Sequence, residues 1–186
     1  MLRGDIEDTV ATYLITGDAG SGKSTVAQVL ARRGYPAYNT DDMPDVTRLE
    51  DSAGRPAEWP EGPVDWTKYA WNWQESGLQK LLTGARTAFV AAIVSNQARL
   101  YSLFEAIFVL VVDKGTLRHR LLSRTENDYG KHPDELAGIL SYHPTLEREL
   151  LSAPGAVAID ATKPLDAVVD EIIVRTRPNV THPPGA

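Results

Sequence analysis

A glycine-rich turn between an apolar segment and an amphipathic segment most constrains how this chain folds. The run "TVATYLIT" (9–16) is apolar and rich in β-branched residues, which predicts a buried strand. The next residues, "GDAGSGKS", are small or polar apart from one lysine, and Val26, Val29 and Leu30 then follow at helical spacing. Gly34 is expected to end that helix. The sequence therefore predicts a strand, a tight loop and a helix in direct succession.

The loop residues match the pattern G-x-x-x-x-G-K-[ST]. Glycines let the backbone N–H groups turn towards an anion, and the helix behind them adds its dipole. Lys23 is expected to reach the β- and γ-phosphates of a nucleotide, and the Ser24 hydroxyl to bind Mg²⁺. A glycine-rich turn without a ligand is the alternative, but the flanking strand and helix favour phosphate binding. The predicted nucleotide-binding residues are Gly17, Asp18, Ala19, Gly20, Ser21, Gly22, Lys23, Ser24 and Thr25.

Apolar segments and helical segments alternate along the rest of the chain. Strands are predicted at 9–16, 35–40, 87–95, 106–113 and 156–160, and helices at 24–33, 66–84, 97–104, 116–124, 133–142, 145–151 and 164–175. This order predicts an α/β fold, a three-layer αβα sandwich around a five-stranded, mainly parallel sheet. Residues 1–178 are expected to form one domain, with a flexible tail at 179–186. Residues 43–65 have no clear period, so an irregular excursion covering substrate is expected within 41–84, and a lid at about 124–134.

The composition excludes several classes of function. A net charge of -6 argues against a general nucleic-acid-binding protein, and the absence of cysteine excludes disulfides and thiolate chemistry. The first residues lack the apolar core of a signal peptide, and no apolar run is long enough to span a bilayer. We expect a cytoplasmic protein, monomeric or homodimeric, that binds neither nucleic acid nor membrane. The four histidines (His119, His132, His143 and His182) show no metal-ligand spacing and are expected on the surface, in the lid or in the tail.

The order of these features resembles the small-molecule kinases of the P-loop superfamily, such as adenylate, shikimate and gluconate kinases. In shikimate-kinase-like proteins the second strand ends in Asp-Thr-Asp, and the matching residues here are Asn39, Thr40 and Asp41, followed by Asp42. The resemblance implies that Asp41 contacts the acceptor hydroxyl and acts as a base. It also implies that a metal-linked role passes from the position of Asn39 to Asp42. The alternative is that both carboxylates only cap the next helix.

Two further segments carry nucleotide contacts in the related kinases. Arg120 and Arg124 are four residues apart and share one helical face. The resemblance implies that one arginine lies over the adenine and the other reaches the transferring phosphates; solvated helix arginines are the alternative. The loop "DATKP" follows the last strand, and the resemblance implies an adenine contact there through Thr162, Lys163 and Pro164. The same residues could instead simply start a helix with Thr162 as its N-cap.

The acceptor side is the least specific part of the sequence. All four tryptophans lie within 59–73, either as a local packing cluster or as the walls of a substrate pocket. Arg48 lies in the same region and could meet an anionic substrate, while Asn96 and Gln97 end a strand beside the loop. The candidate substrate residues are Asp41, Arg48, Trp71, Trp73, Asn96 and Gln97.

Together these features predict ATP- and Mg²⁺-dependent phosphoryl transfer to a small-molecule acceptor, with Lys23, Asp41 and Arg124 as catalytic residues. A nucleotide-binding switch or slow NTPase that acts on a protein partner is the second hypothesis. A binding module that has lost catalysis is the third.

Overall fold

A five-stranded parallel sheet forms the centre of the described residues, which are 11–83, 87–125 and 127–176 of a computed structural model. The strands are β1 (Ala11–Thr16), β2 (Ala37–Asn39), β3 (Thr47–Asp51), β4 (Tyr69–Trp73), β5 (Thr87–Ala91), β6 (Ala106–Val111) and β7 (Ala156–Asp160). The helices are α1 (Lys23–Arg32), α2 (Glu75–Leu82), α3 (Lys114–Ser123), α4 (Pro133–Leu151) and α5 (Leu165–Arg175), and 3-10 segments cover Thr40–Asp42 and Gln97–Leu103. The sheet order is β2-β5-β1-β6-β7, and every neighbouring pair is parallel. The predicted α/β fold is confirmed.

Helices cover both faces of this sheet. Leu14 and Ile15 are neighbours on β1 and both fully buried, yet they belong to two different apolar clusters because successive side chains point to opposite faces. The Ile15 cluster includes Leu30 of α1 and Ile172 of α5. The Leu14 cluster includes Leu78 of α2. Continuous apolar strands are thus explained by burial on both sides, as parallel sheets require.

The strand order of the sheet reverses at β1. Strands β2 and β5 lie on one side of β1, and β6 and β7 lie on the other. In open sheets of this type, ligands bind at the carboxyl ends of the strands where the order reverses. The glycine-rich loop follows β1 at this edge, and the 3-10 segment Thr40–Asp42 follows β2 there.

The excursion within 41–84 differs from the sequence prediction. Residues 43–65 were expected to be irregular and 66–84 helical, but β3 and β4 form an antiparallel hairpin in which Thr47 pairs with Trp73 and Asp51 with Tyr69. Helix α2 begins only at Glu75. The reason is the period: in "YAWNW" the large aromatic side chains recur at every second residue, which suits a strand, and helical spacing starts with the leucines of α2.

Three helix boundaries also differ from expectation. The two helices predicted at 133–142 and 145–151 are one helix, α4, which continues through Pro144. Helix α3 starts at Lys114 because the side chain of Asp113 accepts a hydrogen bond from the backbone N–H of Thr116 at 2.9 Å. Helix α5 has Pro164 rather than Thr162 at its N-cap. The predicted tail at 179–186 lies outside the described residues. No helix in the described ranges combines the length and apolarity needed to cross a bilayer.

Candidate functional site

The glycine-rich loop between β1 and α1 has a backbone that only glycine adopts readily. Gly17, Gly20 and Gly22 have φ angles of 144°, 84° and 106°, in the left-handed region. A Cβ at Gly17 would lie 2.8 Å from both the backbone oxygen of Leu110 and Oγ of Ser21. The loop therefore packs closely against β6 while its backbone turns into the opening of α1, which is the arrangement that phosphate binding requires.

Lys23 is buried in this loop, and its ammonium group bonds to backbone oxygens of the loop itself. Its side-chain Nζ donates hydrogen bonds to the carbonyl oxygens of Gly17 at 2.8 Å and Asp18 at 2.9 Å. Burial lowers the pKa of Lys23, and the nearby charge of Arg124 lowers it further, while Asp41 and Asp18 act in the opposite direction. Among the described residues, the hydrogen bonds of this buried ammonium group go to two neutral carbonyls, which a phosphate could replace.

Ser21 and Arg120 complete the support of the loop. Arg120 on α3 donates from Nη1 to the backbone oxygen of Ser21 at 3.0 Å and from Nη2 to that of Ala161 at 2.7 Å. The guanidinium thus joins the loop to the segment after β7. Ser21 Oγ is buried without a hydrogen-bond partner among the described residues, so the loop contains a polar atom that a ligand oxygen would satisfy.

His143 supports the same loop from α4, which the sequence analysis did not predict. It is 5% exposed, and its Nδ1 lies 3.0 Å from Oδ2 of Asp18. Its Nε2 lies 2.9 Å from the backbone oxygen of Val112, at the end of β6, and donates to it. The expectation that His143 lies on the surface, in the lid or in the tail is wrong, because it is buried within α4. The sequence carries no local signal for this contact, because His143 and Asp18 are 125 residues apart.

Asp41 and Asp42 lie on the 3-10 segment after β2, and both side chains are exposed to the cavity described below. Oδ1 of Asp41 accepts a hydrogen bond from Nε1 of Trp71 at 2.9 Å, and the described residues supply no donor to its Oδ2. Oδ2 of Asp42 accepts from Nδ2 of Asn39 at 2.7 Å. Asp41 is close enough to Lys23 for its charge to act on the lysine pKa. A carboxylate therefore lies within electrostatic reach of the ammonium group of Lys23.

One cavity of about 1790 Å³ connects these groups with the aromatic side chains of the excursion. The predicted site residues that line it are Asp18, Ala19, Gly20, Ser21, Gly22, Lys23, Ser24, Thr25, Asp41, Asp42, Trp71, Gln97, Arg120, Arg124 and Lys163. The predicted site residues outside its lining are Gly17, Arg48, Trp73, Asn96, Thr162 and Pro164. The cavity is large enough for two small molecules at once, since ligand pockets usually occupy a few hundred to about 1,000 Å³.

The predicted substrate residues outside the cavity hold the hairpin in place. Trp73 is 2% exposed and donates from Nε1 to Oγ1 of Thr40 at 2.9 Å. Asn96 exchanges two hydrogen bonds with the backbone of Trp73, at 3.0 and 2.9 Å. Arg48 forms an ion pair with Glu50 at 2.8 Å on β3. Trp73, Asn96 and Arg48, which the sequence suggested for the substrate, thus make contacts within the protein instead.

The other tryptophans form an aromatic cluster that lines the cavity. We define this aromatic cluster as Trp59, Trp66, Trp71 and Tyr129. The ring of Trp59 lies 6.3 Å from that of Trp66 and 5.4 Å from that of Trp71, centroid to centroid. Trp66 also meets Tyr129 edge-on at 6.1 Å. Trp59 and Trp66 remain 55% and 44% exposed, so the cluster both packs internally and presents aromatic surface to the cavity.

Tyr129 was missed by the sequence analysis, although an aromatic residue in a polar segment is a usable signal. Its backbone oxygen accepts a hydrogen bond from Nη2 of Arg124, at the end of α3. Burial raises the pKa of the Tyr129 hydroxyl. Through Tyr129, the segment after α3 therefore contacts both Arg124 and Trp66, which belongs to the excursion within 41–84.

The remaining predicted site residues make contacts of several kinds. Lys163 lines the cavity and pairs with Glu171 at 3.1 Å, while Thr162 bonds to Asp160. Gln97 is 5% exposed and donates to the hydroxyl of Tyr101 at 3.0 Å. Within the described ranges, no cluster of three or more His, Cys, Asp or Glu side chains could hold a metal ion.

Comparison with known proteins identifies the family of this chain. A family model described as an AAA domain matches residues 14–141, more than half of the chain. The chain belongs to this family. As a P-loop domain of the AAA family, it has a fold that implies nucleotide binding. A search of curated proteins by sequence gives no match.

Solved structures with the same fold include small-molecule kinases. A gluconokinase from Sinorhizobium meliloti 1021 matches with a TM-score of 0.56 and 19% identity over 89% of this chain and 90% of that one. A deoxyadenosine kinase from M. mycoides with bound dATP matches with a TM-score of 0.54 and 13% identity over 88% and 98% of the two chains. A shikimate kinase from Bacteroides thetaiotaomicron gives 0.57 and 12% over 89% and 97%. The resemblance predicted from sequence is confirmed at the level of fold.

Proposed function

We propose that this protein transfers the γ-phosphate of ATP to a hydroxyl group of a small molecule. The observation that carries the proposal is the single cavity that holds both the phosphate-binding loop with Lys23 and the carboxylate of Asp41 with its aromatic neighbours. A phosphate donor and an acceptor bound at these two ends would meet between Lys23 and Asp41. The kinase fold of the structural relatives supports the same reading.

The donor side would bind the nucleotide through the loop amides, Lys23 and the opening of α1. Lys23 would leave the oxygens of Gly17 and Asp18 to hold the terminal phosphates, where its charge stabilises the transition state. The Ser24 hydroxyl and Asp42 would hold Mg²⁺, which supplies charge neutralisation on the phosphate oxygens when bound. Arg124 would add a second cation near Lys23, and Arg120 would keep the loop joined to Ala161, beside Lys163, which would contact the adenine.

The acceptor side would orient the attacking hydroxyl through Asp41. Its Oδ1 is fixed by Trp71, so Oδ2 is presented to the acceptor. The hydroxyl oxygen forms the new bond to the γ-phosphorus while the bond to the β-phosphate oxygen breaks and ADP leaves. Asp41 accepts the hydroxyl proton and returns it to water. Residues 124–134 would act as a lid over this reaction within a single domain at 1–178, in a cytoplasmic enzyme.

The test is ATP turnover with and without hydroxyl compounds, followed by mass spectrometry of the products. Acceptor-dependent ADP release together with a phosphorylated acceptor is the expected result. ATP binding without stimulation by any acceptor would instead favour a switch or a binding module.

Asp41→Asn separates binding from transfer. The variant should bind ATP normally in calorimetry while transfer falls at least about a hundredfold, because general-base catalysis supplies a factor of that order. Asp45→Asn removes the same charge from an exposed residue outside the cavity and should transfer normally. Full activity of Asp41→Asn would remove Asp41 from the mechanism.

A further inference from the structure

Both ring nitrogens of His143 face oxygen atoms that accept hydrogen bonds. Nδ1 lies 3.0 Å from Oδ2 of Asp18, and Nε2 lies 2.9 Å from the backbone oxygen of Val112. A neutral imidazole has one N–H group and one lone pair, so it can donate to only one of these two oxygens. The side chains of His143 and Asp18 are 7% and 11% exposed, so bulk water is largely kept from the contact. One more proton is therefore needed between Asp18 and His143.

The ring of His143 is the favoured place for this additional proton. A carboxylic acid at Asp18 could also donate it to Nδ1, but carboxylic acids release their protons far more readily than imidazolium ions do. Glu147, one turn further along α4, lies 3.9 Å from Nε2, and its carboxylate also favours a cationic ring. The contacts thus favour an imidazolium ion at His143, which forms with Asp18 a pair without net charge.

An unpaired carboxylate at Asp18 would act against an anionic ligand in the glycine-rich loop. Asp18 lines the cavity, and its Oδ1 is held by the backbone N–H of Ala19 at 2.7 Å. Burial lowers the pKa of Lys23 and the charge of Asp18 opposes this effect, so the carboxylate acts on the ammonium group that would hold the phosphates. A triphosphate would be repelled from the same position, and salt screens partly buried charges only weakly.

Lys23 does not neutralise Asp18 by direct contact. Its Nζ bonds to the backbone oxygens of Gly17 and Asp18 rather than to the carboxylate, and in the proposed function it turns to the terminal phosphates. His143 contacts the carboxylate itself and lies outside the lining of the cavity. A charge on His143 would therefore remain with Asp18 when a nucleotide binds.

We propose that His143 is an imidazolium ion that neutralises Asp18, and that this charge, rather than the shape of the side chain, lets the loop bind an anionic nucleotide. The inference rests on the proposed function, because it concerns how the same loop binds ATP. His143 touches neither the phosphates nor the reacting atoms. It acts through Asp18 and is a positioning residue.

The first test measures the protons on the ring of His143 directly. Nitrogen-15 NMR of the wild-type protein without nucleotide, at about pH 7, distinguishes a ring nitrogen that carries a proton from one with a lone pair. Both nitrogens of His143 should carry a proton. In Asp18→Asn the side-chain amide can donate to Nδ1, so the ring should become neutral and keep its proton on Nε2 alone. A lone pair on either nitrogen of the wild-type ring would overturn the inference.

The second test separates charge from shape through ATP affinity in calorimetry. His143→Gln leaves Asp18 without its cation and should weaken ATP binding about tenfold. Adding Asp18→Asn to His143→Gln removes the stranded carboxylate, so the double variant should bind ATP at least about threefold more tightly than His143→Gln. A contact that only shapes the loop gives no such recovery, because the double variant lacks both original partners. His119→Gln, at an exposed position on α3, is the matched control and should bind as the wild type does.

The outcomes separate this inference from the proposed function. Unchanged affinity in His143→Gln overturns the inference, and so does a double variant that binds no more tightly than His143→Gln. Either result leaves ATP-dependent transfer to an acceptor untouched. A wild-type protein that does not bind ATP would overturn the proposed function and with it the role given to the charge, whereas the NMR measurement still determines the charge itself.

Discussion

The two ends of the cavity are built in different ways. At the phosphate-binding end, Lys23 bonds to Gly17 and Asp18, at most six residues away in the chain. At the acceptor end, Trp71 meets Asp41 across 30 residues and Trp73 meets Thr40 across 33. The first end is a local motif that any chain can carry, whereas the second exists only after a hairpin has docked on the sheet. The proposed contacts with the phosphates therefore depend on a local motif, and the proposed contacts with the acceptor depend on tertiary packing.

The largest expected effect tests the local end. Lys23→Ala removes the cation that faces the transferring phosphate, and turnover should fall about a thousandfold. Lys80→Ala, on the exposed face of α2, changes the same residue type outside the cavity and should leave turnover unchanged. Steady-state kinetics with a saturating acceptor measure both variants. Retention of more than a tenth of the wild-type turnover by Lys23→Ala would show that the two ends are not divided as described.

The next effect tests how closely helix α2, which follows the hairpin, packs against the backbone before β3. A Cβ at Gly77 in α2 would lie 2.1 Å from the backbone oxygen of Asp45, so Gly77→Ala should destabilise the protein by about 2–3 kcal/mol. Gly138 in α4 has no atom within 4 Å of an added Cβ, and Gly138→Ala should stabilise by about 0.5–1 kcal/mol. Urea denaturation gives both values. A Gly77→Ala variant as stable as the wild type would mean that α2 does not pack against the chain before β3.

A third prediction concerns the carboxylate of Glu50, which lies on β3 of the hairpin. Burial alone would raise the pKa of Glu50, but hydrogen bonds from Asn72, Gln74 and Arg48 together hold it below the usual value. A lowered folded-state pKa stabilises the protein above the unfolded pKa of about 4.3, and this contribution is lost as the pH falls through the lower folded value.

Glu50→Gln should therefore cost about 1–2 kcal/mol at neutral pH, because charge-assisted hydrogen bonds are lost. The difference from wild type should shrink below about pH 4. Unfolding free energies measured across this pH range test the prediction, and Glu58→Gln at an exposed position serves as the control. A difference that is constant with pH would contradict the assigned role of Glu50.

The smallest effect concerns His143, which supports the phosphate-binding end from a distant part of the chain, as Arg120 also does. His143→Leu removes the contacts with Asp18 and Val112, so the loop should lose part of its preorganisation and nucleotide affinity should fall about three- to tenfold. His119→Leu on the exposed face of α3 is the matched control. Calorimetric titration with ATP measures both variants. Unchanged affinity in His143→Leu would show that the contact between His143 and Asp18 does not contribute to nucleotide binding.

The same division explains what could be predicted from the sequence. Each strand of the parallel sheet is a short apolar run, and the loop is a contiguous motif, so fold and nucleotide contacts follow from local patterns. Trp73 and Arg48 were considered for the substrate because the local sequence reveals neither the burial of Trp73 nor the ion pair of Arg48 with Glu50. The hairpin itself was missed because a leucine period in α2 was extended backwards over "YAWNW".

His143 and Tyr129 show the second reason for failure. Their partners, Asp18 and Trp66, lie far away in the chain, so no window of sequence contains both sides of the contact. A buried polar histidine next to Pro144 has the same local pattern as an exposed one. Such positions depend on which helix packs over the loop, and that is decided by the whole core.

The most direct test of the account is the structure of the protein bound to Mg²⁺ and a non-hydrolysable ATP analogue. The account predicts that Nζ of Lys23 leaves the carbonyl oxygens of Gly17 and Asp18 and contacts a phosphate oxygen, on the side of the cavity that faces Asp41. An analogue bound outside the loop 17–24, or Nζ retained on both carbonyls with the analogue present, would contradict it.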